Sequence, residues 1–187
     1  MPGPGSIGDV RGVADRYTFR VTVQIQSATI DQLPAILSIY NQAVEERATG
    51  DLRPVTVDER IGWFNEHEPR RYPLRVAILE TGEVVGWVSL GEYRFGRAAF
   101  RRTAEISYYV DREHRRRGIA TQLIDDATGL ARSLGYRTLV ALLLESNDAS
   151  IRLLRQHGYA EWGRMRATAI HDGHEQDHLY YGRPLDG

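Results

Sequence analysis

A glycine-containing turn is the first stretch of this sequence whose residue types and spacing could do chemistry. Residues 112–123 read REHRRRGIATQL, and Arg115 to Ala120 fit the pattern Gln/Arg, two free positions, Gly, one free position, Gly/Ala. A turn that enters a helix leaves backbone N–H groups unpaired at the positive end of the helix dipole, and such a helix start binds pyrophosphate. Gly118 permits close backbone approach, Ala120 keeps the helix start narrow, and Thr121 could add a hydroxyl donor. The stretch therefore predicts an anion-binding turn.

A carboxylate and an amide lie on either side of this turn in the chain. Glu105 belongs to the mostly apolar strand TAEISYYV, and Asn147 follows the buried strand TLVALLL. The two side chains and the turn would converge at one cleft. Taken alone, Glu105 would more often be a surface-facing strand residue or a structural ion-pair partner, and its neighbours in the chain favour the functional interpretation. The arginines at 115–117 are equally compatible with a solvated charge run, and we expect that for at least one of them.

Alternating strands and amphipathic helices must position these residues. VTVQIQSA predicts a strand from Val21, and capping boxes at Thr29 and Thr56 predict the starts of two helices. LRVAILE and VVGWVSL flank a hairpin turn at Gly82. ATQLIDDATGLARSLGY predicts a helix that stops at Gly135, ESNDASIRLLRQHGY a shorter helix, and the segment to Arg183 two strands around HDGHEQ. The order indicates an α/β (α+β) fold, a mixed sheet with helices on its faces.

Composition limits the classes of function. The 187 residues suit one domain, which we place at 21–187 behind a flexible Gly- and Pro-rich extension over 1–20. The net charge of −1 disfavours a nucleic-acid-coating protein, and no apolar run predicts a membrane span or secretion signal, so we expect a cytoplasmic protein. There is no cysteine for a thiolate nucleophile and no lysine, since all 24 basic residues are arginine.

With these residues in these positions, the sequence resembles the GNAT superfamily of acetyl-CoA-dependent N-acetyltransferases, and within it the phosphinothricin acetyltransferase-like group. The resemblance extends from Val21 to the C-terminus. The segments that carry it are IYNQAV, TVDERIGWF, VVGWVSL, TAEISYYVDREHRRRGIATQLI and the run N-x-x-S-I-x-L-x-x-x-x-G-Y from Asn147 to Tyr159. It implies a central, mixed, largely antiparallel sheet of about seven strands flanked by about four helices.

The resemblance also implies a cosubstrate and a mechanism. Acetyl-CoA would donate the acetyl group, with no metal, and Glu105 would act as general base for direct attack by the amine. Backbone N–H groups around residues 108–110 would receive the oxyanion, and the same strand edge would pair with pantetheine. The residues implied to contact acetyl-CoA are Tyr108, Tyr109, Val110, Arg115, Arg116, Arg117, Gly118, Ile119, Ala120, Thr121, Asn147 and Ser150. Because Tyr108 and Tyr109 alternate along the strand, we expect only one of them to face the cleft.

Two regions depart from the family pattern. Leu154 stands where many relatives have a tyrosine that can protonate the CoA thiolate, and His157 fits better as a helix-end residue than as its substitute. In the acceptor loops we expect Arg53, Tyr93, Arg94 and Arg97 to bind substrate. An arginine-lined site suits an acceptor that carries a carboxylate or phosphinate.

The leading hypothesis is therefore an N-acetyltransferase for a small amino acid or analogue of the phosphinothricin or methionine sulfoximine type. The alternatives are acetylation of a protein N-terminus or another amine such as a polyamine, a non-catalytic CoA-binding module, and an arginine-mediated nucleic-acid-binding module. The histidines between His171 and His178 lack the spacing of a zinc site, so no metal is expected. Resemblance to the group also implies a homodimer, with no nucleic-acid or membrane partner.

Overall fold

The computed structural model of the chain describes residues 21–185, so the predicted extension over residues 1–20 lies outside it. Seven strands and four α-helices make up this part of the chain. The strands are β1 (Gln24–Ser27), β2 (Leu74–Ile78), β3 (Val84–Glu92), β4 (Thr103–Val110), β5 (Thr138–Leu144), β6 (Ala160–His171) and β7 (His174–Pro184), and the helices are α1 (Leu33–Glu45), α2 (Val57–Asn65), α3 (Ile119–Ser133) and α4 (Asp148–Gln156). No helix within residues 21–185 is long and apolar enough to cross a membrane.

One mixed sheet contains all seven strands. Their order is β1-β2-β3-β4-β5-β7-β6, and every neighbouring pair is antiparallel except β4 and β5. This arrangement confirms the predicted fold. Helices cover both faces, because α3 and α4 bury Leu123, Ile124 and Leu154 in the core cluster on one side. On the other side α1 packs Ile36 and Ile39 against Trp87 of β3.

Both capping boxes form as the sequence predicts. The Glu59 N–H donates to Thr56 Oγ1 at 3.4 Å, and the Thr56 N–H donates to Glu59 Oε2 at 2.9 Å, which fixes the start of α2. Thr29 makes the equivalent box with Gln32, but there the box opens a single 3₁₀ turn that leads into α1. The first strand is shorter than predicted and begins at Gln24.

The parallel pair β4 and β5 separates partway along its length. Their ladder joins only residues 103–105 of β4 to residues 138–140 of β5, with Glu105 opposite Val140 in the last rung. Beyond this point β4 continues beside β3, while β5 continues beside β7 as far as Leu144. The sheet therefore opens into a V between the two strands, and Glu105 lies at its base.

Candidate active site

Two cavities meet at the V-shaped opening. One, of about 560 Å³, follows the end of β4 and the start of α3, and we call it the α3 groove. The other, of about 740 Å³, surrounds Glu105 on the α1 and α2 side of the sheet, and we call it the Glu105 cavity. Both are lined by Ala48 and Tyr109, so the two cavities adjoin at these residues.

The start of α3 presents backbone donors to the α3 groove. Gly118 is the N-cap and has the left-handed conformation, with φ of 78°, that favours glycine. The first helical bond is donated by the Gln122 N–H to the Gly118 carbonyl, at 3.2 Å. Within residues 21–185 the N–H groups of Ile119, Ala120 and Thr121 have no acceptor. This end of the helix is therefore arranged to bind an anion.

The three arginines before Gly118 have different surroundings. Arg115 pairs with Glu46 at the end of α1, at 2.8 Å, and lines the groove. Arg116 also lines the groove and has φ of 61°, a left-handed conformation uncommon outside glycine. Arg117 does not line the groove. The backbone donors of α3, rather than a continuous row of guanidinium groups, dominate this end of the groove.

The free edge of β4 also faces the groove. The Asp111 N–H donates to the Val85 carbonyl at 3.0 Å, on the β3 side. Because backbone groups alternate in direction along an antiparallel strand, the N–H groups of Val110 and Tyr108 point to the opposite side, where β5 has moved away. These two donors are available to a ligand that lies along the strand.

Asn147 and Ser150 form the far wall of the groove at the start of α4. Asn147 is the N-cap, and its Oδ1 accepts from the Ser150 N–H at 3.2 Å. The carboxamide oxygen is therefore occupied by the helix. Its Nδ2 group has no acceptor within residues 21–185 and can donate to a ligand.

Both tyrosines of β4 line the groove, so the expectation that only one would face the cleft is wrong. Tyr108 packs against the core beneath α3 and α4, whereas the ring of Tyr109 lies 4.7 Å from that of Trp87 on the other face. Both reach the ligand space because the groove follows the open edge of the strand instead of one face. Burial raises the pKa of Tyr109 and raises that of Tyr108 to about 12.

Glu105 projects into the second cavity from the last rung of the β4–β5 ladder. Ser107 and Tyr109 lie on the same face, as the twofold alternation of a strand requires. Within residues 21–185 the carboxylate has no hydrogen-bond or ion-pair partner, and burial raises its pKa above the ordinary value. A carboxyl of this kind, facing an open cavity, is suited to accept a proton.

The opposite wall of the Glu105 cavity contains a guanidinium that the sequence analysis missed. Arg60 of α2 lines the cavity, pairs with Asp51 and lies over the ring of Tyr40, 5.6 Å from its centroid. The Tyr40 hydroxyl donates to Asp51 at 2.6 Å. The sequence did not single out Arg60. The pattern of α2 predicts a capping box and an amphipathic helix, but it does not show which loop the helix packs beside.

The hairpin of β6 and β7 closes the cavity. His171 is buried, and both its ring nitrogens lack a partner within residues 21–185. His178 also lines the cavity, and burial lowers its pKa. In the same part of the chain no three His, Asp or Glu side chains are grouped to hold a metal ion.

The loop residues predicted to bind the acceptor lie outside the cavity lining. Arg53 is exposed and pairs with Glu59 at 2.5 Å. The Arg94 guanidinium lies over the ring of Tyr93, 5.5 Å from its centroid, and Arg97 is the N-cap of a short 3₁₀ helix. Their motif positions did not show whether these side chains reach the cavity lining.

Leu154, which stands where many relatives have a tyrosine, and His157, its one possible substitute as a proton donor, also lie outside both cavities. Leu154 is buried in the core. The His157 Nδ1 atom is 2.8 Å from the Leu153 carbonyl at the end of α4, the helix-end arrangement that the sequence favours. Neither side chain borders a space that a ligand could occupy.

Comparisons with known proteins agree with this geometry. Residues 33–159 match the model of the acetyltransferase (GNAT) family. The sequence is 39% identical over 154 residues to YwnH of Bacillus subtilis, provisionally named a phosphinothricin acetyltransferase, covering 82% of this chain and 93% of that protein. It is 36% identical over 146 residues to the L-methionine sulfoximine/L-methionine sulfone acetyltransferase of Pseudomonas paraeruginosa, covering 78% and 84%.

A solved structure extends the similarity to a complex. The phosphinothricin acetyltransferase of Sinorhizobium meliloti, crystallised with acetyl-CoA, superposes with a TM-score of 0.83 at 31% identity. The superposition covers 88% of this chain and 89% of that one. The sheet, its V-shaped opening and the helix at the anion-binding turn therefore belong to a fold that holds acetyl-CoA in a relative.

Proposed function

The chain belongs to the acetyltransferase (GNAT) family, and from that premise we propose that it transfers the acetyl group of acetyl-CoA to the α-amino group of a small amino acid or analogue. The observation that carries the proposal is the junction of the two cavities at Ala48 and Tyr109, beside the half-buried Glu105 carboxylate, which has no partner within residues 21–185. Acetyl-CoA occupies the α3 groove, and the acceptor occupies the Glu105 cavity.

Two parts of the groove suit two parts of acetyl-CoA. The unpaired N–H groups at 119–121 bind the pyrophosphate. The pantetheine lies along the open edge of β4, where Val110 and Tyr108 offer backbone donors and Asn147 offers its amide. The proposed contacts are the predicted residues that line the groove, namely Tyr108, Tyr109, Val110, Arg115, Arg116, Gly118, Ile119, Ala120, Thr121, Asn147 and Ser150. The Sinorhizobium relative was solved with the same cosubstrate.

The Glu105 carboxylate supplies the base. An α-amine is protonated at neutral pH and cannot attack a thioester until a proton leaves, so Glu105 accepts that proton directly or through water. The nitrogen lone pair then attacks the acetyl carbon, and the developing oxyanion is stabilised by the N–H groups on the free edge of β4. Collapse breaks the C–S bond, the thiolate leaves with the electron pair, and the product nitrogen releases its remaining extra proton.

Arg60 favours an acceptor that carries an acid group. Its guanidinium pairs with Asp51 in the same cavity as Glu105, so an amino acid can place its amine toward Glu105 and its own carboxylate toward the remaining N–H groups of Arg60. A polycation would meet Arg60 unfavourably. Relatives named for phosphinothricin and for methionine sulfoximine and sulfone acetylation support the same substrate class.

A homodimer is part of the proposal. Strand β6 is the edge of the sheet and exposes apolar side chains, with Trp162, Met165 and Ile170 between 47% and 58% accessible. Burial of such side chains stabilises association. Sedimentation equilibrium will test it, and a mass of one chain across the micromolar range would reject it.

A thiol-release assay tests the function. Because the chain has no cysteine, every thiol that appears with acetyl-CoA comes from the coenzyme. We expect turnover with L-phosphinothricin, L-methionine sulfoximine or L-methionine sulfone, and much less with spermidine or a peptide that mimics a protein N-terminus. Turnover confined to the peptide would replace the proposed acceptor class. Acetyl-CoA binding without turnover on any amine would favour a non-catalytic module.

A further inference from the structure

His178 is a polar side chain in a mainly apolar wall of the Glu105 cavity. It lies on β7, in register with Leu144 of β5 on one side and Met165 of β6 on the other, and all three side chains line the cavity. Its ring lies 5.1 Å from that of Tyr180, the next residue on the same face of β7. The imidazole is therefore held in place by apolar and aromatic neighbours.

Both ring nitrogens of His178 remain available to a ligand. The side chain is half-buried and has no hydrogen-bond partner within residues 21–185, yet its nitrogens are not closed off from the cavity. His171, on the same hairpin, differs because both of its ring nitrogens are fully buried. Burial lowers the pKa of His178, so at neutral pH the ring is uncharged and offers one N–H donor and one acceptor nitrogen.

The strand register relates His178 to the proposed base. Glu105 is opposite Val140 of β5, in the last rung of the ladder between β4 and β5. His178 is opposite Leu144, four residues further along β5. Positions four residues apart share a face of the sheet and are about 13 Å apart along the strand. Glu105 and His178 therefore face one cavity from separate positions on the sheet, and Arg60 lies on its opposite wall.

On the premise of the proposed function, these three groups divide an amino-acid acceptor between them. The amine lies at Glu105, and the carboxylate lies toward Arg60. The third large substituent of the α-carbon, the side chain, extends along the sheet toward His178. A neutral N–H donor in an apolar wall suits an uncharged oxygen at the end of that side chain, because the rest of the side chain packs on Leu144 and Met165.

We propose that His178 donates a hydrogen bond to the terminal oxygen of the acceptor side chain, and so selects amino acids whose side chain ends in an uncharged group such as a sulfone or sulfoximine. The contact lies away from the reacting atoms, so it contributes to acceptor binding and not to the chemical step. An acceptor without the oxygen leaves the N–H group of His178 unpaired in a partly desolvated wall, which lowers its affinity.

Other polar side chains on this wall are less suited to the contact. The Thr168 hydroxyl already donates to the Met165 carbonyl at 3.2 Å, and the nitrogens of His171 are fully buried. Tyr180 also lines the cavity and carries a hydroxyl, so it is the competing donor. Tyr180→Phe removes that hydroxyl and keeps the ring beside His178.

L-Methionine and L-methionine sulfone test the proposal, because they differ only in the two oxygens on sulfur. Thiol release gives the ratio of kcat/KM for the sulfone to kcat/KM for methionine. His178→Phe keeps a ring beside Tyr180 but has no donor, so this ratio should fall about tenfold, with the loss in the KM of the sulfone. His178→Gln keeps an N–H donor and should retain most of the ratio. His174→Leu, on the same hairpin but outside the cavity lining, is the matched control and should not change it.

The comparison of two acceptors separates this proposal from the proposed function. Equal ratios in the wild type and His178→Phe, with turnover in both, would overturn the role of His178 and leave acetyl transfer standing. A fall in the ratio in Tyr180→Phe but not in His178→Phe would assign the contact to Tyr180 and also overturn the proposal. Absence of turnover of both acceptors by the wild type would overturn the substrate class as well. Acetyl-CoA binding verifies that each variant is folded, and His178→Leu replaces His178→Phe if the latter is not.

Discussion

The α3 groove and the Glu105 cavity meet at Ala48 and Tyr109, but they are built in different ways. The groove comes mainly from one continuous segment, from Tyr108 on β4 to Thr121 on α3, and most of its donors are backbone N–H groups. The Glu105 cavity is assembled from side chains of α1, the loop after it, α2, β3, β4, β5 and the β6–β7 hairpin. The first is a local structure, and the second exists only after the whole sheet has formed.

The two regions have different tasks, because the groove binds a fixed group, the pyrophosphate, whereas the cavity must recognise a particular acceptor. A pyrophosphate can be bound by backbone groups that almost any sequence supplies once the turn forms, provided that a residue such as Gly118 can adopt the conformation. An acceptor must be recognised by side chains, so one substitution on the cavity wall changes what fits. Substitutions in the two regions should therefore affect different measured quantities.

The largest effect is expected at Glu105, in the cavity. Glu105→Gln should lower kcat/KM by about 10²–10⁴, because the variant cannot accept the amine proton, while the affinity for acetyl-CoA is kept. The loss should be greatest where the carboxylate is ionised and the amine still protonated. Steady-state rates across pH provide the measurement, and Glu83→Gln, in the turn between β2 and β3, is the matched control. Parallel pH profiles of the wild type and Glu105→Gln would remove Glu105 from the mechanism.

Gly118→Asp should have the next largest effect, confined to the groove. An aspartate there forces a non-glycine residue to φ of 78° and places a negative charge in the anion site, so the affinity for acetyl-CoA should fall at least about 100-fold. In the wild type, ligand at about 100 Kd should raise Tm by about 5–10 °C, a shift that the variant should lose.

Gly135→Asp is the control for Gly118→Asp at the other end of α3. Gly135 has a similar φ of 83°, and no atom lies within 4 Å of an added Cβ, so the same strain and charge arise away from the groove. The acetyl-CoA shift should survive in this variant. Equal loss of the shift in both variants would mean that strain in α3, and not the anion site, controls binding.

Arg60→Gln should have a moderate effect on the acceptor alone. Loss of a charge-assisted hydrogen bond should raise the KM of an amino-acid acceptor about tenfold and leave the affinity for acetyl-CoA unchanged. Arg53→Gln, which breaks the exposed pair with Glu59, should change that KM much less. A larger effect at Arg53 would favour the sequence-based assignment of the acceptor loops over the cavity wall.

The smallest effect concerns stability. Burial raises the pKa of Glu105, so the folded chain binds this proton more tightly than the unfolded chain. The resulting stabilisation is complete below the ordinary carboxyl pKa and is lost as pH rises through the raised value. Because glutamine resembles the protonated acid, Glu105→Gln should melt a few degrees higher than the wild type at neutral pH, with a difference that narrows in acid. A constant difference across pH would contradict this linkage.

The sequence predicts the groove better than the cavity for the same structural reason. The strand, turn and helix around Gly118 are adjacent in the chain, so their periodicity, capping and glycine position reveal the local geometry. The predicted contacts at Arg115, Asn147 and Ser150 do line the groove. Arg117 does not, because a run of like residues cannot show which member turns inward.

The cavity depends on contacts between distant segments, which periodicity does not encode. Arg60 reaches it because α2 packs beside the loop that carries Asp51, and His171 because the β6–β7 hairpin folds over the opening. Motif position made Arg53 a reasonable prediction for an acceptor contact. In the structure it pairs instead with Glu59, an exposed residue in the first turn of α2. Glu105 does line the cavity, and the sequence singled it out because a carboxylate in an apolar strand just before the anion-binding turn is conspicuous.

A bisubstrate ligand tests most directly the central claim that the two cavities form one active site. The ligand is coenzyme A whose sulfur is joined through an acetyl bridge to the amino nitrogen of L-methionine sulfone, and its affinity is measured by calorimetry. We expect a Kd at least about 100-fold below that of CoA alone, with affinity weakened at least about 100-fold in Gly118→Asp and about tenfold in Arg60→Gln. A bisubstrate ligand that binds no more tightly than CoA would show that the groove and the cavity do not act together.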